Sequence, residues 1–283
     1  MSKITVKLPN PEGVVAGGIA TFRIPVGRRI HGLILSYAYD AADQKLSHFT
    51  EIRLFINGAV FQRYSATERD MLNRLDRLPA SAGVLEIPFD RRLMKTAAGE
   101  ENSAINTGVA DETGARISSM YMEIDIAGGT VITSSDLSLH AVESDVVGGG
   151  AGSIPYIRRE QRSVAGADSD FQISDLINPG VNAPDKIALT RATFSASAGT
   201  ISRLRVDRNN YNVFDRTEAL NTAVLNGGAR TRVAGYFTID TGERGRADDV
   251  LDLHGMTDFR YRLNVSAAAT ITCLSEYMGV LTN

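Results

Sequence analysis

The chain has 283 residues, 43% of them hydrophobic, enough for one large core or two of ordinary size. Thirty basic side chains against 33 acidic ones give a formal net charge of −3, without the basic footprint that direct nucleic-acid binding requires. A single cysteine, Cys273, excludes an internal disulfide, and no stretch approaches the roughly 18 uninterrupted apolar residues of a membrane helix.

In chain order the pattern is mostly strand. The opening MSKITVKLPNPEG alternates, breaks at its prolines and has no apolar core of a secretory signal, which points to a protein made and used in the cytoplasm. Ile19–Ile24, residues 30–39 and residues 50–56 are rich in β-branched and aromatic residues, and polar stretches between them suit loops. Asn57-Gly58, set between Leu54-Phe55-Ile56 and Ala59-Val60-Phe61, is a strong two-residue hairpin signal. Ser65 three residues before Glu68 has the capping-box spacing of a helix start, and Met71, Leu72, Leu75 and Leu78 form one apolar face behind it. Strands are expected again at Val84–Phe89, Ile117–Ile126 and Thr130–Ala141, the last two joined by Ala127-Gly128-Gly129. Many short strands separated by turn residues indicate a sandwich or barrel.

The second half repeats the first. Residues 53–68 read RLFINGAVFQRYSATE and residues 203–218 read RLRVDRNNYNVFDRTE, 150 positions apart (203 − 53). At that offset Arg53/Arg203, Leu54/Leu204, Thr67/Thr217 and Glu68/Glu218 are identical. Asp215 before Glu218 repeats the capping spacing, and Ala219, Leu220, Ala223 and Val224 repeat the apolar helix face. Further on, residues 83–87 match 235–239, residues 123–126 match 262–265, and residues 130–133 match 270–273. The expected division is 1–147 and 148–283, with 148–160 as a glycine-rich linker and entry segment. Gly148–Ser153 reads as a flexible connector; a phosphate-cradling loop lacks the Lys-Ser/Thr and βαβ context it needs. Leu54, Ile56, Ile87, Ile124 and Ile126 are expected in the first core, and Leu204, Val206, Ile239, Leu263 and Val265 in the second.

No catalytic constellation emerges. His31, His48, His140 and His254 lie in unrelated settings without metal-ligand spacing, and Cys273 reads as a small buried hydrophobe. Asp168/Asp170/Asp175 and Asp248/Asp249/Asp252 offer oxygens that calcium could use, but neither has the acidic-loop pattern, so solvated loops are the simpler reading. Catalytic and cofactor-binding residues are therefore none, metal ligands stay unknown, and no cofactor is required. Of the 30 basic residues 25 are arginine, the residue that protein interfaces favour, although a GC-rich genome gives the same bias. The polar, glycine-rich segments Met94–Arg116 and Thr241–Asp258 are expected loops that could supply subunit contacts, and Arg158–Arg162 could meet acidic groups, lipid or only solvent.

The duplicated halves, Ser153-Ile154-Pro155-Tyr156-Ile157-Arg158-Arg159, Ile173-Ser174-Asp175-Leu176 and the terminal Glu276-Tyr277-Met278-Gly279-Val280 resemble the major capsid protein of corticoviruses, icosahedral bacteriophages with an internal membrane. The resemblance runs in order along most of the chain. It implies an all-β fold of two tandem eight-stranded jelly rolls, each with a short helix after a strand hairpin. It implies a structural role without enzyme activity: trimeric, nearly hexagonal capsomers tiling a shell over a bilayer and double-stranded DNA. The implied partners are two further copies, neighbouring capsomers, and minor membrane or vertex proteins. The implied location is the virion shell, assembled in the cytoplasm of a bacterial host. Two other classes stay open at this point: a receptor-binding spike, which would favour aromatic sugar platforms although the chain has no Trp, and a cupin-type enzyme, which would need a His/Glu cluster inside a barrel.

Overall fold

The computed structural model describes residues 3–38, 45–176, 188–246 and 249–281. The chain divides into two compact units, Met1–Tyr156 together with Val280–Asn283, and Ile157–Gly279.

Unit 1 runs β1 (Ile4–Lys7), β2 (Ile19–Ile24), β3 (Arg29–Tyr37), β4 (Phe49–Ile56), β5 (Ala59–Tyr64), α1 (Ala66–Leu75), β6 (Val84–Pro88), α2 (Ala97–Asn102), β7 (Ile105–Asn106), β8 (Met120–Ile126) and β9 (Leu137–Ser144). Its strands form two sheets, β1-β9-β3-β6 with β7 beside β3, and β5-β4-β8-β2. The next strand, β10 (Ile154–Val164), begins in unit 1 and continues into unit 2. Unit 2 then runs β11 (Asp168–Ile173), β12 (Ala188–Ala196), β13 (Ile201–Arg208), β14 (Tyr211–Thr217), α3 (Glu218–Gly227), β15 (Tyr236–Asp240), β16 (Leu251–Asp252), β17 (Phe259–Val265) and β18 (Ala269–Gly279). Here the strand orders are β10-β18-β12-β15, with β16 beside β12, and β11-β17-β13-β14. Numbering the eight main strands within each unit gives 1-8-3-6 and 2-7-4-5 both times, the order of a jelly roll.

Alternation builds both cores. In β8, Met120, Met122, Ile124 and Ile126 are buried while Tyr121, Glu123 and Asp125 face outward; in β17, Phe259, Tyr261, Leu263 and Val265 are buried while Arg260, Arg262 and Asn264 face outward. All ten side chains expected in the two cores are buried. Each contributes about 1.5–3 kcal/mol by leaving water, which is what the strand pattern is selected to achieve.

The repeat is deeper than the matching letters, and its register differs from theirs. Both hairpin turns are two residues with positive φ: Asn57 and Gly58 at +50° and +80°, Asn209 and Asn210 at +48° and +65°. Each hairpin has its bulge after the second pair from the turn, which leaves Phe61 and Val213 unpaired. The ten-residue helices also superpose at this offset, so the structural repeat is 152 positions (209 − 57), and Arg53 corresponds to Arg205. The 150-position match is shifted by two because strands have a period of two: such a slip keeps every apolar face in phase, and only the turn distinguishes the registers. A second shared bulge places His31 on β3 and Thr190 on β12, and their carbonyls accept from Phe89 N (2.8 Å) and Thr241 N (3.0 Å).

The slip explains two further differences. In α1 Ser65 caps Glu68 N (3.2 Å) and Glu68 returns a carboxylate to Ser65 N (2.7 Å), the expected capping box. In α3 the cap is Thr217, not Asp215, and Leu220 stands where a glutamate would complete the box. Met71, Leu72, Leu75 and Leu78 are buried as expected, whereas Ala219, Leu220 and Ala223 are exposed and the buried face is Asn221 and Leu225. Asn221 Nδ2 donates to the Thr238 carbonyl (2.8 Å), a directional bond that turns its own face inward; in α1 the matching carbonyl of Glu86 is reached by Asn73 (2.8 Å), one turn further along the helix.

Other expectations shift locally. The strand expected over 30–39 is Arg29–Tyr37, and residue 39 lies outside the described residues. β8 starts at Met120, not Ile117, and residues 130–133 are not strand: a connection over 127–136 leads into β9, where unit 2 needs only 266–268. Thr133 there caps a single 3-10 turn with Asp136 instead of extending the ladder. The segment Met94–Arg116 carries α2 and β7, and Thr241–Asp258 carries β16, so neither is a plain loop. The tract Gly148–Ser153 is fastened: Asn106 Nδ2 donates to the carbonyls of Val147 (2.5 Å) and Gly150 (2.8 Å). Gly150 has φ +82°, and a Cβ there would come within 2.6 Å of Asp111 Cβ, so glycine is required.

Candidate functional site

In a protein built of β-sandwiches, function rests either on a cluster of reactive groups or on the outward faces of the sheets. The four histidines are dispersed. His31 is buried at the β3 bulge, with Nε2 2.9 Å from Ser144 Oγ and Nδ1 3.5 Å from Asp90 Oδ2, which also accepts from Lys3 Nζ (2.9 Å). His48 ends a 3-10 turn, His140 lies on β9, and His254 is exposed beside Asp252 (3.0 Å). Among the described residues no group of three His, Cys, Asp or Glu side chains could hold a metal ion. Asp170 instead faces Arg205 (3.0 Å) and Arg262 (2.9 Å), and Asp175 faces Arg162 (2.7 Å). Asp249 and Asp252 of the second acidic cluster lie in or beside β16, and Asp248 falls outside the described residues. Cys273 is buried on β18, and burial pushes its thiol up to about 12, so the thiolate that reactivity needs is absent at neutral pH.

The outward faces carry the chemistry. On β4 and β8, Arg53 is a hub for Glu51 (2.7 Å), Glu123 (3.1 Å) and Asp125 (2.6 Å), and Arg63 adds a second contact to Glu51 (2.8 Å). Burial alone would raise the Glu51 carboxyl; the hydrogen bonds from Arg63 and Arg53 overcome it and hold the group below the usual range. Next to the hub Phe55 and Tyr121 stack across the strands, with centroids 4.3 Å apart and planes at 9°. At the corresponding places in unit 2 both acids become bases while the hub keeps its sign: Glu51 becomes Arg203 and Glu123 becomes Arg262, and Arg53 remains arginine as Arg205. These arginines line a cavity of about 280 Å³ with Asp170, and Arg203 grips Asp215 through Nε (2.7 Å) and Nη2 (2.5 Å).

Behind β14, unit 2 also buries charge. Arg230 Nε donates to Asp240 Oδ2 (2.6 Å), Arg191 lies 3.4 Å from both Asp240 and Glu276, and Arg216 holds Glu243 bidentately (2.6 and 2.7 Å). Neither the alternation pattern nor the motifs indicate this network; its signal is arginine and acid at positions where a strand shows its apolar face. Arg158–Arg162 lies within β10, not in a linker. Two of the motifs that carry the resemblance meet, because Tyr156 of Ser153–Arg159 donates its hydroxyl to the carbonyl of Val280 in Glu276–Val280 (2.9 Å).

Two jelly rolls of identical strand order in one chain, with charged and aromatic outward faces, define a double jelly-roll protein. The model of the viral coat protein P2 N-terminal domain matches residues 5–144 and that of the P2 C-terminal domain matches residues 154–281. The chain belongs to the viral coat protein P2 family, as a major capsid protein of the virion shell. No curated protein sequence matches it. Among solved structures, the major capsid protein P2 of bacteriophage PM2 aligns with a TM-score of 0.84 at 18% identity, over 100% of this chain and 99% of that one. A chain from the atomic structure of Sulfolobus turreted icosahedral virus aligns at 0.68 and 11% identity, over 99% and 91%. The capsid of PBCV-1 aligns at 0.60 and 8% identity, over 98% and 93%. These identities speak for the fold alone.

Proposed function

We propose that three copies of this chain form a capsomer with six barrels and a nearly hexagonal outline, and that such capsomers tile an icosahedral shell around an internal membrane and double-stranded DNA. The observation that carries the reading is one topology built twice within one chain. Three two-lobed subunits present six similar edges, which suits six neighbours, whereas three single barrels present only three. The net charge of −3 suits a shell separated from the genome by lipid. In this reading the chain works by packing and performs no catalytic step; it joins minor membrane or vertex proteins at the particle and is assembled in the cytoplasm of the host. Light scattering behind size exclusion tests it: one species at three times the chain mass is expected, and a chain that stays monomeric across concentration and salt would contradict it.

A further inference from the structure

The internal repeat gives a template for reading unit 2's exposed edge. In unit 1 the outer edge of β5 carries Ile154–Tyr156, the part of β10 that belongs to that unit, and Gln62 Nε2 donates to the Pro155 carbonyl (2.8 Å). The corresponding strand of unit 2 is β14, which among the described strands pairs with β13 alone. An open strand edge is a template for another strand. Around it the apolar surface is uncovered: Tyr211 is 76% exposed, Val213 46% and Leu220 52%, whereas Phe61, the counterpart of Val213, is 2% exposed.

A cavity of about 270 Å³ opens behind this edge, with Ala192, Val206, Val213, Phe214 and Ile239 among its walls. Unit 1 fills the same place with Phe61 and Phe89, whose ring centroids are 5.9 Å apart, and with Leu33. Unit 2 has Val213, Thr241 and Ala192 at those positions, as the paired registers of β3–β6 and β12–β15 and the two bulges establish. The space that one unit packs with two phenyl rings is left open in the other.

The segment that covers β5 is the start of a first-position strand, since β10 opens unit 2 as β1 opens unit 1. Among the described strands β1 pairs with β9 alone, which leaves its second edge open there, and Ile4 on it is 47% exposed. The charges at both edges are largely committed within the chain, Lys3 to Asp90, Asp215 to Arg203 and Glu218 to Arg232, so the match between the edges lies in strand pairing and apolar surface.

We propose that the open edge of β14, with the cavity behind it, receives β1 of a second copy of this chain, Ile4 lying against Val213. The inference rests on the capsomer reading and deepens it, because it names which edges meet. Repeated head to tail, the contact is heterologous and closes into a ring when the rotation per chain is a third of a turn.

The test is a cross-link in the full chain carrying Ile4→Cys and Val213→Cys, treated with a short bis-maleimide; Cys273, buried, stays silent. Covalent dimers and trimers are expected from the double variant, covalent dimers alone from a mixture of the two single variants, in which each chain has one reactive thiol, and none from either single variant alone. A second variant, Val213→Lys with Leu220→Lys, should keep the far-ultraviolet dichroism of the parent and raise the concentration for half-assembly at least about tenfold. A trimer that forms without the cross-link, or that is indifferent to the lysines, overturns this docking and leaves the capsomer reading standing. A chain that never leaves the monomer overturns both.

Discussion

Asn57 and Asn209 hold one geometry twice. Each takes the first place of a hairpin turn with φ near +50°, and each side-chain oxygen accepts from two successive backbone amides: Ser118 (2.8 Å) and Ser119 (3.3 Å) for Asn57, Thr257 (2.9 Å) and Asp258 (3.2 Å) for Asn209. Asparagine tolerates left-handed backbone, and its amide ties the hairpin to the strand beside it. Alanine loses both features, so Asn57→Ala and Asn209→Ala should each destabilise their unit by about 2 kcal/mol, and glycine at either place by less. Urea unfolding of the variants measures this; an alanine variant with the parent's midpoint would contradict the role.

The two asparagines also show what was legible in the residues. The repeat, the alternation and the ten core positions all follow from period and composition. The register did not, because a two-residue slip preserves alternation and four chance identities favoured it. Asn209-Asn210 held the correction, being the only doublet in that hairpin able to take two positive φ values. The inward face of α3 is set by the Asn221 bond to Thr238, and a hydrogen bond between distant segments leaves no periodic trace. The charged outward faces and the open edge of β14 depend on which strands become neighbours, so they appear only when the sheets are assembled.

Charge burial separates two pairs of the same composition. Asp240 and Arg230 are buried, while Asp215 and Arg203 are at the surface. Asp240→Ala removes the carboxylate facing both Arg230 and Arg191 and should cost about 3–5 kcal/mol, whereas Asp215→Ala should cost about 0–1 kcal/mol. Thermal unfolding of the two variants side by side checks the ranking, and equal losses would contradict it.

Asp90 makes acid stability depend on the first barrel's His31 cluster. Burial alone would raise its carboxyl, but the hydrogen bonds and charges of His31 and Lys3 prevail and hold it below the usual range. The unfolded chain therefore binds this proton more readily, and the stabilisation is complete above the unfolded carboxylate value of about 3.9 and lost as pH falls through the lower folded value. Unfolding midpoints taken from neutral pH into acid should fall more steeply for the parent than for Asp90→Asn. Parallel curves would remove Asp90 from the account.

Cys273 should resist thiol reagents in the folded protein and react once in denaturant, since its side chain is buried and its thiol is pushed up to about 12. A colorimetric thiol assay with and without guanidinium reads this directly. Rapid labelling of the native chain would show that β18 opens.

The most direct test of the capsid assignment is electron cryo-microscopy of particles containing this chain. The account predicts six-lobed capsomers, two β-barrels of identical strand order per chain, and a bilayer beneath them. Three-lobed capsomers, one barrel per chain, or a shell from which this chain is missing would contradict it.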